Sequence, residues 1–119
     1  LYNAVDLIVK PSINESLGFV YFEGMCAGKP IITSNIAPMI EVSKDVGLSV
    51  PFNSENELIN AIIRLKEDRD LYGKCSKNAL IKAKNQSWEK RGNEFEKTFR
   101  ELIKQNRRFR LKKQKRIQK

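Results

Sequence analysis

The chain has 119 residues, a length that suits one domain, and a formal net charge of +9. It contains no histidine, and Cys26 and Cys75 lack the spacing of metal ligands, so a zinc site is not expected. No apolar stretch approaches the ~18 residues needed to span a bilayer, and no signal peptide is visible at Leu1.

The excess of positive charge is concentrated at the C-terminal end of the chain. Residues 106–119 hold eight basic and no acidic side chains, whereas residues 1–53 hold three basic and five acidic ones. Three interpretations of this tail stay open. It is a solvated or frayed helix end without a partner, a contact with an anionic membrane, or, least favoured, a nucleic-acid binding segment.

The first half of the chain alternates predicted strands and helices. Short apolar runs bounded by Gly or Pro predict three buried strands, at residues 6–10, 31–33 and 47–50. Helical spacing of apolar residues predicts helices at residues 18–27, where Phe19, Phe22, Met25 and Cys26 recur, and at residues 39–43. Gly28 is placed to end the first helix in a left-handed conformation. This order of elements is typical of an α/β protein with a parallel sheet.

The second half predicts three helices. Ser54 and Glu57 form a capping box, and Asp68 and Ser87 can cap the next two helices. One face of the first of these helices is lined by Leu58, Ala61, Ile62 and Leu65, and the predicted inward-facing residues of the second are Leu71, Cys75, Ala79, Leu80 and Ala83. The third helix carries Trp88, Phe95, Phe99, Leu102 and Ile103 at helical spacing. Because three short strands do not make a complete sheet, we expect the C-terminal part of a longer protein, or a truncated relative of one.

Two carboxylates, Glu15 and Glu23, stand eight positions apart around the predicted start of the first helix at Gly18. Glu15 follows the first strand, and parallel sheets bind ligands beyond the carboxyl ends of their strands. A helix N-terminus favours anions, and glycine allows close approach of the backbone to a ligand. A nucleoside diphosphate could span the two carboxylates, which accept hydrogen bonds from sugar hydroxyls. A solvated loop Glu and a surface Glu would give the same spacing, but the apolar surroundings of Glu23 indicate that it needs a partner.

The segments Pro11-Ser12, Glu15-Ser-Leu-Gly-Phe19 and Glu23-Gly-Met-Cys-Ala-Gly-Lys-Pro-Ile-Ile-Thr33 resemble the signature of a known family. They are similar to the retaining nucleotide-sugar glycosyltransferases of the GT-B fold (glycosyl transferases group 1), whose motif is Glu-x7-Glu. The resemblance covers roughly residues 1–104. It implies the C-terminal half of a GT-B donor-binding domain at residues 1–105, with a partial Rossmann-like parallel sheet, covering helices and a long C-terminal helix, followed by the basic tail at 106–119.

The resemblance also implies an enzyme and roles for its residues. Glu15 would be catalytic and face the transferred sugar, and Glu23 would bind the ribose hydroxyls. The backbone contacts to the sugar and diphosphate would come from Ser16, Leu17, Gly18 and Phe19. The reaction would move a sugar from a nucleoside-diphosphate sugar to an acceptor glycan or lipid with retention, without a metal or another cofactor. The expected location is cytoplasmic, and a peripheral membrane contact through the tail stays one of the three open interpretations of that segment.

Some positions depart from the family pattern. Ser16 and Leu17 replace a Gly and a Phe, and Ala37-Pro38 stands where a Gly-Gly loop is common. The basic residues that pair with the diphosphate, and the acceptor-binding domain, would lie upstream of Leu1, so we expect residues 1–119 alone to be inactive. The alternatives are a non-catalytic basic binding module and a degenerate truncated relative.

Overall fold

Three parallel strands run side by side in the order β1 (Ile8–Lys10), β2 (Ile31–Ser34) and β3 (Gly47–Val50). The computed structural model describes residues 1–16 and 18–117, with side chains as far as residue 107. A short 3-10 helix at Tyr2–Ala4 precedes the sheet. The helices are α1 (Phe19–Cys26), α2 (Ala37–Ser43), α3 (Glu55–Glu67), α4 (Arg69–Asn85) and α5 (Trp88–Ile117). The chain forms two compact units, Leu1–Asn85 and Gln86–Lys119. The three parallel strands and the helices between them confirm the predicted α/β class with a parallel sheet.

The central strand β2 pairs with both neighbours, and all four of its residues are buried. In β1 only Ile8 is buried, so the prediction of a buried first strand is wrong for Val9 and Lys10. The reason is that β1 lies at an edge of the sheet that the described residues form. Gly47 faces Ile31 in the register, and a Cβ there would lie 1.8 Å from the Ile31 carbonyl oxygen. The close approach of these two backbones explains the glycine at the start of β3.

Both faces of the sheet are covered, as a parallel sheet requires. Ile31 belongs to a core with residues of α1, α2 and α4, namely Tyr21, Met25, Met39, Val42 and Ala79. The next residue, Ile32, belongs to a second core with Val50 and residues of α3 and α4, namely Ala61, Leu65 and Cys75. Neighbouring strand residues point to opposite faces, so β2 supplies one isoleucine to each core. Helix α4 contributes to both.

The predicted N-cap residues are confirmed, but the capping box is only half formed, since the Ser54 amide donates to the Pro51 carbonyl. The N–H groups of Glu57, Leu71 and Lys90 donate to the side-chain oxygens of Ser54, Asp68 and Ser87 at 3.4, 2.8 and 3.3 Å. Gly28 has φ +67° and follows α1 as predicted. Its N–H donates to the Met25 carbonyl, and the next N–H donates to Gly24, which is the Schellman pattern.

Three details differ from the predictions. The buried face of α1 is Tyr21, Gly24 and Met25, whereas Phe19 and Cys26 are exposed. The cause is close packing on β1, since a Cβ at Gly24 would lie 2.4 Å from a carbon of Ile8. Helix α2 starts at Ala37 instead of Met39, because the proline that follows Ala37 is tolerated in a first helical turn. Leu80, predicted to face inward, is 49% exposed.

The long C-terminal helix is confirmed as α5. Its apolar residues Phe95, Phe99, Leu102 and Ile103 recur at helical spacing, and each is more than half exposed. The helix continues through 106–117, so the predicted basic tail is helical there, but its side chains beyond 107 lie outside the described residues. Over residues 1–16 and 18–117, none of the helices has the length and apolar character needed to cross a membrane.

Candidate functional site

The carboxylate of Glu15 is held by an ion pair at the carboxyl end of β1. Glu15 lies in the loop that joins β1 to α1, and its side chain is only 17% exposed. Lys10, the last residue of β1, donates from its ammonium group to the Glu15 carboxylate. This contact is the main cause that lowers the pKa of Glu15, and hydrogen bonds from the amides of Gly18 and Ser16 lower it further. Glu15 is therefore kept ionised and fixed in direction.

The loop is also fixed by Tyr21 and Gly18. The side chain of Tyr21 is fully buried, and its hydroxyl donates to the backbone carbonyl of Lys10. The Lys10 ammonium lies 5.9 Å from the centre of the Tyr21 ring, within reach of a cation–π contact. Gly18 has φ +63° immediately before α1, and a Cβ there would lie 2.4 Å from the Tyr21 ring. Only glycine fits between the loop and this ring.

Glu23 lies on α1 and has a partner. The hydroxyl of Tyr2, 21 residues earlier in the chain, donates to the Glu23 carboxylate at 2.5 Å. This hydrogen bond is the main cause that raises the pKa of Tyr2. Glu23 is exposed, so its charge does not need a partner because of burial, although Tyr2 provides one. The sequence did not identify Tyr2, because the two residues are brought together only by the packing of the first turn beside α1.

The remaining predicted site residues surround the same loop. Ser16 is exposed, and Phe19, the first residue of α1, is 57% exposed. Leu17 lies outside the described residues. A contact that the sequence did not predict joins the carboxyl ends of two strands, since the hydroxyl of Ser34 in β2 donates to the carbonyl of Ser12 after β1.

Lys10 was the other functional candidate that sequence reasoning missed. The available signal was a basic residue at the end of an apolar strand, five positions before a site carboxylate. A separate groove of ≈ 480 Å³ lies beside the start of β1, at the opposite end of that strand. It is lined by Asp6, Leu7, Ile62, Leu65, Lys66, Arg69 and Tyr72, and none of the predicted site residues is among them.

Comparison with known proteins identifies the family of this chain. The family model described as Glycosyl transferases group 1 matches residues 1–82, which include the whole Glu15–Glu23 segment. The chain belongs to the glycosyl transferases group 1 family. The expected family is therefore confirmed.

Relatives within this family and solved structures show the same likeness. The chain is 29% identical over 90 residues to the D-inositol 3-phosphate glycosyltransferase of Corynebacterium glutamicum (strain R), covering 74% of this chain and 22% of the relative. It is similar to sucrose-phosphate synthase from Thermosynechococcus elongatus, with a TM-score of 0.76 and 30% identity over 86% of this chain and 26% of that one. It is also similar to the Anabaena protein HepE in complex with UDP and glucose, with a TM-score of 0.64 and 27% identity over 71% and 24% of the two chains.

The likeness covers only a part of each of these proteins. The glycosyl transferases group 1 chain described here spans about a quarter of each of these proteins. The matched part is the α/β region that carries both carboxylates.

Proposed function

We propose that the chain is the C-terminal portion of the donor-binding domain of a retaining glycosyltransferase. The enzyme moves a sugar from a nucleoside-diphosphate sugar to an acceptor glycan or lipid. The observation that supports this most is the position of Glu15, which is ionised and held by Lys10 at the carboxyl end of β1, just before the start of α1. The neighbour HepE, similar over 71% of this chain, is a structure with UDP and glucose.

In this proposal the residues of the loop and of α1 contact different parts of the donor. Glu15 faces the transferred sugar as the catalytic carboxylate, and Glu23 accepts hydrogen bonds from the ribose hydroxyls. The backbone that contacts the sugar and diphosphate belongs to Ser16, Leu17, Gly18 and Phe19. Gly18 supports close approach because it has no Cβ.

The positive end of the α1 dipole favours the charge that develops on the leaving diphosphate. Because this stabilisation comes from the protein, we propose that transfer needs no metal ion. The basic residues that complete it would come from the rest of the enzyme.

We further propose that residues 1–119 alone do not catalyse transfer. The support is that the chain spans about a quarter of its relatives, so the facing wall of a cleft would have to come from elsewhere. The test is a transfer assay with a panel of nucleoside-diphosphate sugars, run on residues 1–119 and on the complete protein that carries them. We expect turnover only by the complete protein, with the anomeric configuration of the donor retained in the product by NMR. Turnover by residues 1–119 would overturn the proposed inactivity.

Two substitutions in the complete protein test the roles of the carboxylates. Glu15→Ala should mainly lower kcat, because the transition state loses a group that faces it. Glu23→Ala should mainly raise KM for the donor, because binding is lost in the ground state as well. Wild-type kinetics in both variants would remove the site assignment.

We propose a cytoplasmic location with a peripheral membrane contact through residues 106–119. The support is the eight basic residues of that segment, each worth ~1 kcal/mol near an anionic surface. The helix α5 that leads into the segment also exposes Phe95 and Phe99. The protein should sediment with phosphatidylserine vesicles at low salt, and high salt should release it. Equal binding to phosphatidylcholine vesicles, or preferential binding to oligonucleotides, would contradict this.

A further inference from the structure

The ion pair between Lys10 and Glu15 joins the end of a strand to the loop that follows it. The Lys10 side chain is 46% exposed and that of Glu15 is 17% exposed, so the carboxylate is the more enclosed partner. An exposed ion pair between two mobile side chains contributes little. Here the carboxylate is enclosed between the end of β1 and the start of α1, and the amides of Ser16 and Gly18 act on its charge in the same direction as Lys10.

Lys10 is also restrained. Its backbone carbonyl accepts a hydrogen bond from the buried Tyr21, and its ammonium lies 5.9 Å from the centre of the same ring. Tyr21 in turn leaves no room for a side chain at Gly18. Lys10 is thus connected to both the backbone and the side chains around the start of α1.

We propose that Lys10 is a positioning residue that holds the Glu15 carboxylate in one orientation and offsets its negative charge when a diphosphate binds at the start of α1. This inference rests on the proposed function, since it assigns Lys10 to the same donor site. A carboxylate and a diphosphate in one site repel each other, and this repulsion would push the carboxylate away from the sugar. A cation already in contact with Glu15 reduces that repulsion.

The charge environment sets the expected pH dependence. The groups that act on Glu15 are the Lys10 ammonium on β1 and the amides of Ser16 and Gly18 in the loop, and Glu15 lies close enough to the Tyr21 phenol on α1 for their charges to interact. Lys10 lowers the pKa of Glu15 below its ordinary value of 4.5. Removing the ammonium therefore raises this pKa, so protonation of Glu15 and the loss of turnover should begin at a higher pH.

The test compares Lys10→Met and Lys10→Arg in the complete protein, with Lys77→Met on the exposed face of α4 as a matched control. Lys10→Met should lower kcat about 10- to 100-fold, because a misplaced reacting group costs up to that factor. The acid limb of its pH–rate profile should move to higher pH. Lys10→Arg should recover most of the activity, since arginine also pairs with a carboxylate, and Lys77→Met should match the wild type.

A second measurement needs no substrate. With carboxyl-labelled glutamate, the NMR signal that Glu15→Gln removes gives the pKa of Glu15. We expect a higher pKa in Lys10→Met than in the wild type or in Lys77→Met. The proposal is overturned by an unchanged Glu15 titration, or by a variant that raises only KM for the donor, which would make Lys10 a donor contact. If the wild type turns over no nucleotide sugar, the proposed function fails, while the NMR titration still decides whether Lys10 holds this carboxylate.

Discussion

Gly18→Ala should be strongly destabilising, because two independent costs fall on the same residue. Gly18 has φ +63°, a left-handed conformation that costs an L-residue about 1–2 kcal/mol. The new Cβ would also lie 2.4 and 2.6 Å from two carbons of the Tyr21 ring. That ring is fully buried and cannot move aside freely, so overpacking adds about 1–3 kcal/mol. The free energy of unfolding should fall by about 2–5 kcal/mol.

The assay is urea-induced unfolding followed by circular dichroism, with Gly73→Ala as the control. Gly73 lies within α4, its φ is not positive, and a Cβ there would meet no atom within 4 Å. Gly73→Ala should raise the free energy of unfolding by about 0.5–1 kcal/mol, because alanine favours a helix over glycine. A Gly18→Ala variant within about 0.5 kcal/mol of the wild type, the size of an ordinary surface substitution, would show that Gly18 is neither strained nor tightly packed.

Three further predictions concern groups around the sheet. Lys82→Met should lower the free energy of unfolding by about 1–2 kcal/mol in a urea titration. The reason is that the partly exposed Lys82 ammonium donates to three carbonyl oxygens at the end of α2, at 2.7–3.4 Å. An unchanged unfolding midpoint would contradict this capping of α2 by Lys82. Cys26 should react with a thiol reagent in the folded protein and Cys75 only after unfolding, since Cys26 is exposed and Cys75 is buried. Two fast-reacting thiols in the native state would argue against the packing of α4. Glu23→Gln should lower the pKa of Tyr2, because the Glu23 carboxylate raises it. Tyrosinate absorbance should therefore appear at lower pH than in the wild type. Coincident titration curves of the two proteins would mean that Tyr2 and Glu23 do not interact.

The elements of the fold could be predicted from the sequence because their signals are local. Capping residues such as Ser54 and Asp68 stand within three positions of the amides they bind, and Gly28 stands two positions after the last residue of α1. The alternation of short apolar runs and helical periods is likewise contained in short windows. These signals were enough to give the order of strands and helices.

The errors and omissions arise from contacts between distant segments. Phe19 and Cys26 fit the apolar period of α1, but the contact of Gly24 with Ile8 turns a different face toward the sheet. Tyr2 reaches Glu23 only after the chain has folded, and no spacing rule indicates that pair. The carboxylates of the site could be predicted from the sequence, whereas the groups that orient them could not.

In the proposed function, Glu15 and Glu23 frame a site for a nucleoside diphosphate. The most direct measurement is the dissociation constant of UDP, with GDP and ADP in parallel, by titration calorimetry on the complete protein. We compare the wild type with Glu23→Ala and with Glu67→Ala, an exposed carboxylate at the end of α3. We expect the wild type to bind at least one nucleoside diphosphate. The affinity should be weakened roughly 10- to 100-fold in Glu23→Ala through the loss of charged hydrogen bonds and unchanged in Glu67→Ala. Failure of the wild type to bind any of the three, or equal affinities in all three proteins, would contradict it.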